Sequence, residues 1–344
     1  MQLYSEKLKL KFRMLYNEPG INGDRKRKTF AEKKLLPFLY ELLDETVSND
    51  GLEKLSRRNV VDKGAGASIS VDSDGHAYYN HNNEAFLLRW VDYYKKEGIS
   101  KYQKDEMMLN EMQRFNHEER HHMQHHLAQE YDLSKLSPNA LIYIKENLLI
   151  NANYDWYRQN HGKFWIEREA DIYGYNRTID FVSKTLPNTD FSKNCQEKLS
   201  YNAKHFANPE EYFNGDDAFC YLISKNFDDV MAYNSKSNSN IMPYLFDKYP
   251  ALSLIYRNDG TKKNIEEVMQ IRRSYIQKNL SHLQNIVEID GEKMTYGSHI
   301  NKLFSVIINT DKDLQKQYIE YKNKHKTNKT DYQSAQENEN NIEL

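Results

Sequence analysis

The residues richest in possible chemistry lie together, in Phe115-Asn-His-Glu-Glu-Arg-His-His-Met-Gln-His-His; five of the chain's 12 histidines fall between His117 and His126. Within this stretch His117-Glu118-Glu119-Arg120-His121 fits H-E-x-x-H. On a helix, residues four apart share a face, so His117 and His121 can both aim an imidazole nitrogen at one zinc ion. Glu118 projects beside them. It can accept a proton from a zinc-held water, whose pKa the ion lowers towards about 7. A chance match occurs in on the order of a few per cent of chains with this His and Glu content. The plain alternative is a His-rich helix face turned to water.

A catalytic zinc takes three protein ligands and keeps one position open. His125 cannot be the third, because it lies about 12 Å along the helix from His117 at about 1.5 Å per residue. The segment Trp165-Ile-Glu-Arg-Glu-Ala-Asp-Ile-Tyr-Gly offers Glu167 from the next long helix. Asp171, four residues later on the same face, could accept a hydrogen bond from the far nitrogen of a ligand histidine. Glu169 is the rival ligand, and Glu167 is preferred because it leaves Asp171 one turn away. His161 is a weaker rival. For an oxyanion stabiliser the nearby residues are Tyr173, Tyr175 and His125, each of which reads better as packing or surface.

The two segments together resemble the zincin metallopeptidases of the Glu-ligand branch, which pair H-E-x-x-H with a later E-x-x-x-D on a neighbouring helix. Glu167-Arg-Glu-Ala-Asp171-Ile-Tyr-Gly is similar to that second motif, including its apolar-aromatic-Gly continuation. The resemblance covers only about Met107 to Thr178. It implies His117, His121 and Glu167 as zinc ligands, Glu118 as general base and Asp171 as the support of a ligand histidine. It also implies a zincin-like core, in which a small mixed sheet lies against the motif helix and an edge strand holds an extended peptide. Two features depart from the family pattern: the long His121–Glu167 gap, which contains a predicted helix over Leu141–Leu149, and the polar run after His121.

Other chemistries fit less well. A di-iron carboxylate bundle needs two E-x-x-H motifs on different helices. Glu118–His121 and Glu119–His122 overlap on one helix, and no other copy exists. A His-rich metal-buffering helix would use His121, His122, His125 and His126, but gives Glu118, Glu167 and Asp171 no role. A zincin scaffold that has lost activity and serves as an interaction protein is the third reading; the intact Glu118 speaks against it. Neither Cys195 nor Cys220 stands in a nucleophile's context, and Cys220 reads as core. No standard Gly-rich phosphate loop occurs.

The elements that must position these residues are mostly helical. The pattern predicts helix from about Leu3 to Arg58, started or kinked at Pro37, with Asp24-Arg-Lys-Arg-Lys as a solvated basic loop. Ala67, Ile69 and Val71 alternate with serines, so a β-hairpin is expected here, closed by Asp72-Ser-Asp-Gly, which reads as a turn and not a calcium loop. This hairpin is the candidate for the sheet beside the motif helix. Further helices are expected over about Lys104–Glu130, from Ser137 (N-cap) and Pro138, over about Phe164–Leu186, and from a Thr261 cap to about Asn285. Asp290-Gly291 suits a type I′ turn in a second hairpin over Ile286–Tyr296. The polar run Asn234–Asn240 is the best internal boundary candidate.

These readings give a predominantly helical α+β chain: an N-terminal helical region with a hairpin (1–103), a zincin-like metal-binding core (104–186), a mostly helical C-terminal region with a hairpin (187–327), and a polar, disordered tail (328–344). Across 344 residues the net charge is -2 and the pI near 6.6, which argues against a dedicated nucleic-acid binder. No long apolar run and no signal peptide are evident, and two cysteines are too few for a disulfide framework. The expectation is a cytoplasmic zinc-dependent hydrolase acting on a protein or peptide, with no membrane or nucleic-acid partner; the pattern is silent on oligomeric state.

Overall fold

A computed structural model describes residues 4–60, 67–71, 76–92, 98–206, 217–237 and 241–329. The fold is predominantly helical α+β, with two small sheets of three and two strands. It divides into two compact units: residues 1–123 with 167–208, and residues 124–166 with 209–344.

In the first unit, α1 (Glu6–Asn17) is followed by α2 (Asp24–Phe30), a π-helical stretch (Ala31–Leu35) and α3 (Leu36–Asn49). Pro37 sits in the first turn of α3, directly after the π-helical stretch. Proline has no N–H and its ring crowds the carbonyl one turn back, and a widened turn relieves both problems. Helix α3 ends in a Schellman closure: Gly51 takes φ 73°, and the N–H groups of Leu52 and Gly51 donate to Val47 and Ser48. The helix therefore stops well before Arg58. Ser56–Asn59 instead form strand β1, whose four residues are all exposed and carry no apolar alternation to announce a strand. The basic cluster is also not a loop. It forms α2, where Arg27 is buried and paired with Asp24.

The expected hairpin is present as β2 (Ala67–Val71) and β3 (Ala77–His81), antiparallel with Ile69 opposite Tyr79. The residues of its turn, 72–75, lie outside the described residues. Strand β1 joins β3 in parallel, giving the mixed order β1-β3-β2. This sheet packs on helix α5 (Lys101–Ala128) through Phe115, whose ring centroid lies 5.0 Å from that of Tyr79 and 5.5 Å from that of His81. Helix α4 (Asn83–Asp92) follows β3 and buries Phe86 and Trp90. Helices α8 (Trp165–Thr185) and α9 (Asp190–Phe206) complete the unit. Its core gathers Phe12, Phe38 and Phe181 with leucines of α1 and α3. Lys104 is fully buried, and its ammonium donates to the carbonyls of Leu15, Tyr16 and Glu18, tying α5 to the C-terminal end of α1.

The second unit packs α6 (Ala140–Ala152), α7 (Tyr154–Asn160), α10 (Asp217–Ser237), α11 (Ile241–Lys248), α12 (Ile265–Lys278) and α13 (Tyr296–Asn309) around Leu141, Ile144, Phe227, Leu252 and Leu303. Helix α6 begins at Ala140, later than the Ser137-Pro138 signal. Ser137 instead closes a turn, its carbonyl accepting from Ala140 N and its hydroxyl from Asn139 N. Helix α12 is capped by Asn264 and not Thr261: Asn264 and Glu267 form a reciprocal capping box, whereas Thr261 is held by Asp259 in a side-chain turn. The second hairpin, β4 (Ile286–Ile289) and β5 (Glu292–Thr295), turns at Asp290 (φ 52°) and Gly291 (φ 76°), the left-handed pair of a type I′ turn. Helix α14 (Lys312–Lys329) runs through the first two residues of the expected tail; the remainder lies outside the described residues, as does the Cys220 side chain. Helix α10 runs to Ser237, so the polar run begins as helix. Among the described residues, no helix is long and apolar enough to cross a membrane.

Candidate metal centre

Two helices carry the site. Helix α5 starts in a capping box: Ser100 Oγ accepts from Gln103 N at 3.2 Å, and Gln103 Oε1 accepts from Ser100 N at 2.9 Å. From this start the helix runs without a break through the His-rich segment. In the second unit Glu146 caps the start of α8, its buried carboxylate accepting from the N–H groups of Trp165 and Ile166 at 3.0 and 2.8 Å. Negative charge at a helix N-terminus is favourable.

The two helices come close over one stretch of the first unit. A Cβ on Gly174 would stand 2.7 Å from the carbonyl oxygen of Gln113 and 3.2 Å from the nitrogen of His117, so only glycine permits this approach. One turn further on, Asn116 donates to Thr178 Oγ1 at 3.1 Å, and Thr178 donates to the Gly174 carbonyl at 2.8 Å. Glu167, Asp171, Gly174 and Thr178 are spaced by four, three and four residues, which places them on one face of α8.

On that face His117, His121 and Glu167 converge. His117 Nε2 and His121 Nε2 are 3.1 Å apart, and Glu167 Oε2 lies 3.3 Å from the first and 3.4 Å from the second. For ligand atoms about 2.05 Å from a tetrahedral zinc, neighbouring donors should be about 3.3 Å apart. The observed triangle therefore has the size of one tetrahedral face, and two imidazoles with a carboxylate are a suitable donor set. Among the described residues, this is the only group of three or more His, Cys, Asp or Glu side chains that could hold a metal ion.

The surroundings match this geometry. His117 Nδ1 lies 2.8 Å from Asp171 Oδ1, and the same oxygen accepts from Gln113 Nε2 at 3.0 Å. Burial opposes a charge on His117, but hydrogen bonds to Asp171 and Glu167 and the nearby Glu118 outweigh it and lift its pKa to about 10 in the metal-free chain. His121 is also raised: Glu167 outweighs burial there, with Glu118 adding to it. Glu118 thus lies within electrostatic reach of both rings, and also of the buried Tyr79 phenol, which is pushed well up by burial and then by Glu118.

The rival residues are engaged elsewhere. Glu169 is held by Arg120, at 2.7 Å from Nε and 2.6 Å from Nη2. The His161 ring packs on Tyr157 in the second unit, with centroids 5.1 Å apart. Tyr173 donates to Asp50 and accepts from Arg177 Nε at 2.8 Å, so its hydroxyl is committed away from an oxyanion role. Tyr175 is half-buried against the core. His122 Nε2 lies 3.2 Å from the Glu53 carbonyl oxygen, and His125 and His126 occupy the last turn of α5. Glu119 is fully buried, and burial and then Asp50 push its pKa up to about 8, against Tyr173, Arg177 and Arg120. Among the described residues, Glu119 and His122 belong to no group of three or more donors that could hold a metal ion. Sequence reasoning missed Gln113. It stands four residues before His117, at the same interval that separates His117 from His121, and this spacing was the available signal.

No family model, no curated protein and no solved structure matches this chain.

Proposed function

We propose that this protein is a zinc-dependent hydrolase that cleaves peptide bonds in a protein or peptide substrate. The observation that carries the reading is the His117–His121–Glu167 triangle, with edges of 3.1 to 3.4 Å, beside Glu118 on the same helix. When bound, zinc would supply Lewis acidity towards a carbonyl oxygen and towards water. Each of this chain's residues then has a task. The two imidazoles and Glu167 hold the ion, and Asp171 fixes the His117 ring by accepting at Nδ1. Glu118 accepts the proton of the attacking water at its carboxylate and returns it to the leaving amine. The sheet packed on α5 through Phe115 supports the reading, since it lies against the helix that carries the base. A reducing, cytoplasmic setting belongs to the same proposal, and the free, buried Cys195 suits it.

A metal-buffering helix is disfavoured because His122 is engaged at Glu53, and the described residues supply one compact donor group. The test is Glu118→Gln in the full chain, with zinc content measured by mass spectrometry and cleavage followed on a peptide library. Zinc should stay stoichiometric while cleavage drops by a factor of at least about 100. Undiminished cleavage would remove Glu118 from its role, and a parent chain that purifies and reconstitutes without zinc would end the metal-centre reading.

A further inference from the structure

Asp171 holds His117 but is not itself enclosed, since its side chain remains 30% exposed. A carboxylate open to water can turn away and leave the imidazole unsupported. What prevents this is Gln113. Its amide nitrogen donates at 3.0 Å to the same oxygen, Oδ1, that faces His117 Nδ1. The arrangement depends on α8 as well: a Cβ on Gly174 would lie 3.4 Å from the Gln113 amide nitrogen and 2.7 Å from the Gln113 backbone oxygen. The missing side chain thus leaves the strip over which the Gln113 amide reaches Asp171.

We propose that Gln113 is a positioning residue of the metal centre: by fixing Asp171 Oδ1 it sets the ring orientation and tautomer of His117 and so tightens metal binding. The inference rests on the metal-centre reading and extends it one residue further from the ion. Groups that orient a ligand histidine typically change metal affinity about ten- to a hundred-fold when removed. Gln113 acts through Asp171, one step further out, so an effect at the lower end, about ten-fold, is expected.

The experiment compares the full-length parent with Gln113→Met and Gln113→Glu. Both replacements keep the side-chain length; the first removes the donor, and the second turns a carboxylate towards Asp171. Zinc affinity is measured by competition with a chromophoric chelator, and proton exchange at His117 Nδ1 by NMR of 15N-histidine-labelled protein, with backbone amide exchange as the structural control. Expected are about ten-fold weaker zinc binding in Gln113→Met, a larger loss in Gln113→Glu, and faster exchange at His117 Nδ1 with amide protection unchanged. Should Gln113→Met bind zinc as the parent does, with its Nδ1 proton equally protected, Gln113 has no positioning role even though the metal centre stands. If one variant fails to fold, the other decides by the same two readouts. A parent that binds no zinc overturns the metal-centre reading, and this inference with it.

Discussion

Glu167 and Glu169 differ by two positions and about 200° around the helix, and that rotation decides their chemistry. Glu167 faces the two imidazoles, while Glu169 is gripped by the Arg120 guanidinium. Glu167→Ala should therefore weaken zinc retention by at least about ten-fold, and Glu169→Ala should weaken it much less; equilibrium dialysis against a zinc chelator measures both. The reverse order would move the ligand to Glu169. Much at this scale was legible beforehand. The four-residue interval grouped His117 with His121, and the further interval to Asp171 singled out Glu167 over Glu169. Gln113 was only half legible: its four-residue interval from His117 put it on the same helix face, but a glutamine belongs to no metal-ligand pattern and its partner Asp171 lies on another helix. The commitment of Tyr173 to Asp50 was hidden for the same reason, since the two residues come from distant parts of the chain, although Arg177 is only one helical turn from Tyr173.

At the scale of elements, the decisive contact is the close approach of α5 and α8 at Gly174. The atom that an added Cβ would strike is backbone, the Gln113 carbonyl oxygen at 2.7 Å, and it cannot swing aside. Gly174→Ala should cost about 1–3 kcal/mol and lower the thermal midpoint by several degrees, with zinc retention reduced as the helices part. Gly162→Ala, where the added carbon would meet nothing within 4 Å, is the matched control and should leave both quantities close to the parent's. Calorimetry with zinc analysis checks the pair. Element types were read more easily than their ends. Apolar spacing revealed the helices, and Asp290-Gly291 revealed the second hairpin. Two helix starts went astray because Ser137 and Thr261 serve turns, while the true cap of α12 is the Asn264–Glu267 pair. Strand β1 was invisible because its residues are paired by β3 and not by any apolar pattern of their own.

For the whole molecule, stability should depend on pH through a histidine buried in the second unit. In the second unit His299 Nε2 lies 3.0 Å from the Leu133 carbonyl oxygen, and among the described residues its buried Nδ1 has no hydrogen-bond partner. Burial holds the ring below its ordinary value of 6.5, with Leu133 only partly offsetting this. Below that pH the unfolded chain takes up a proton that the native ring resists, so this contribution to stability is present above pH 6.5 and lost as pH falls. From pH 7.5 to 5.5 the parent should lose more stability than His299→Gln, as read from urea midpoints at the two pH values. An equal loss in both proteins would clear His299 of the effect.

The path of the chain also matters. It leaves the first unit after Met123, returns at Glu167, and leaves again after Asn208, so neither unit is an uninterrupted stretch of sequence. During synthesis the paired imidazoles are made before the carboxylate that completes their triangle, with 45 residues between His121 and Glu167. Truncation alone therefore cannot free the first unit of residues 124–166; a minimal version of the candidate metal centre needs that segment excised and the two helices rejoined by a designed linker.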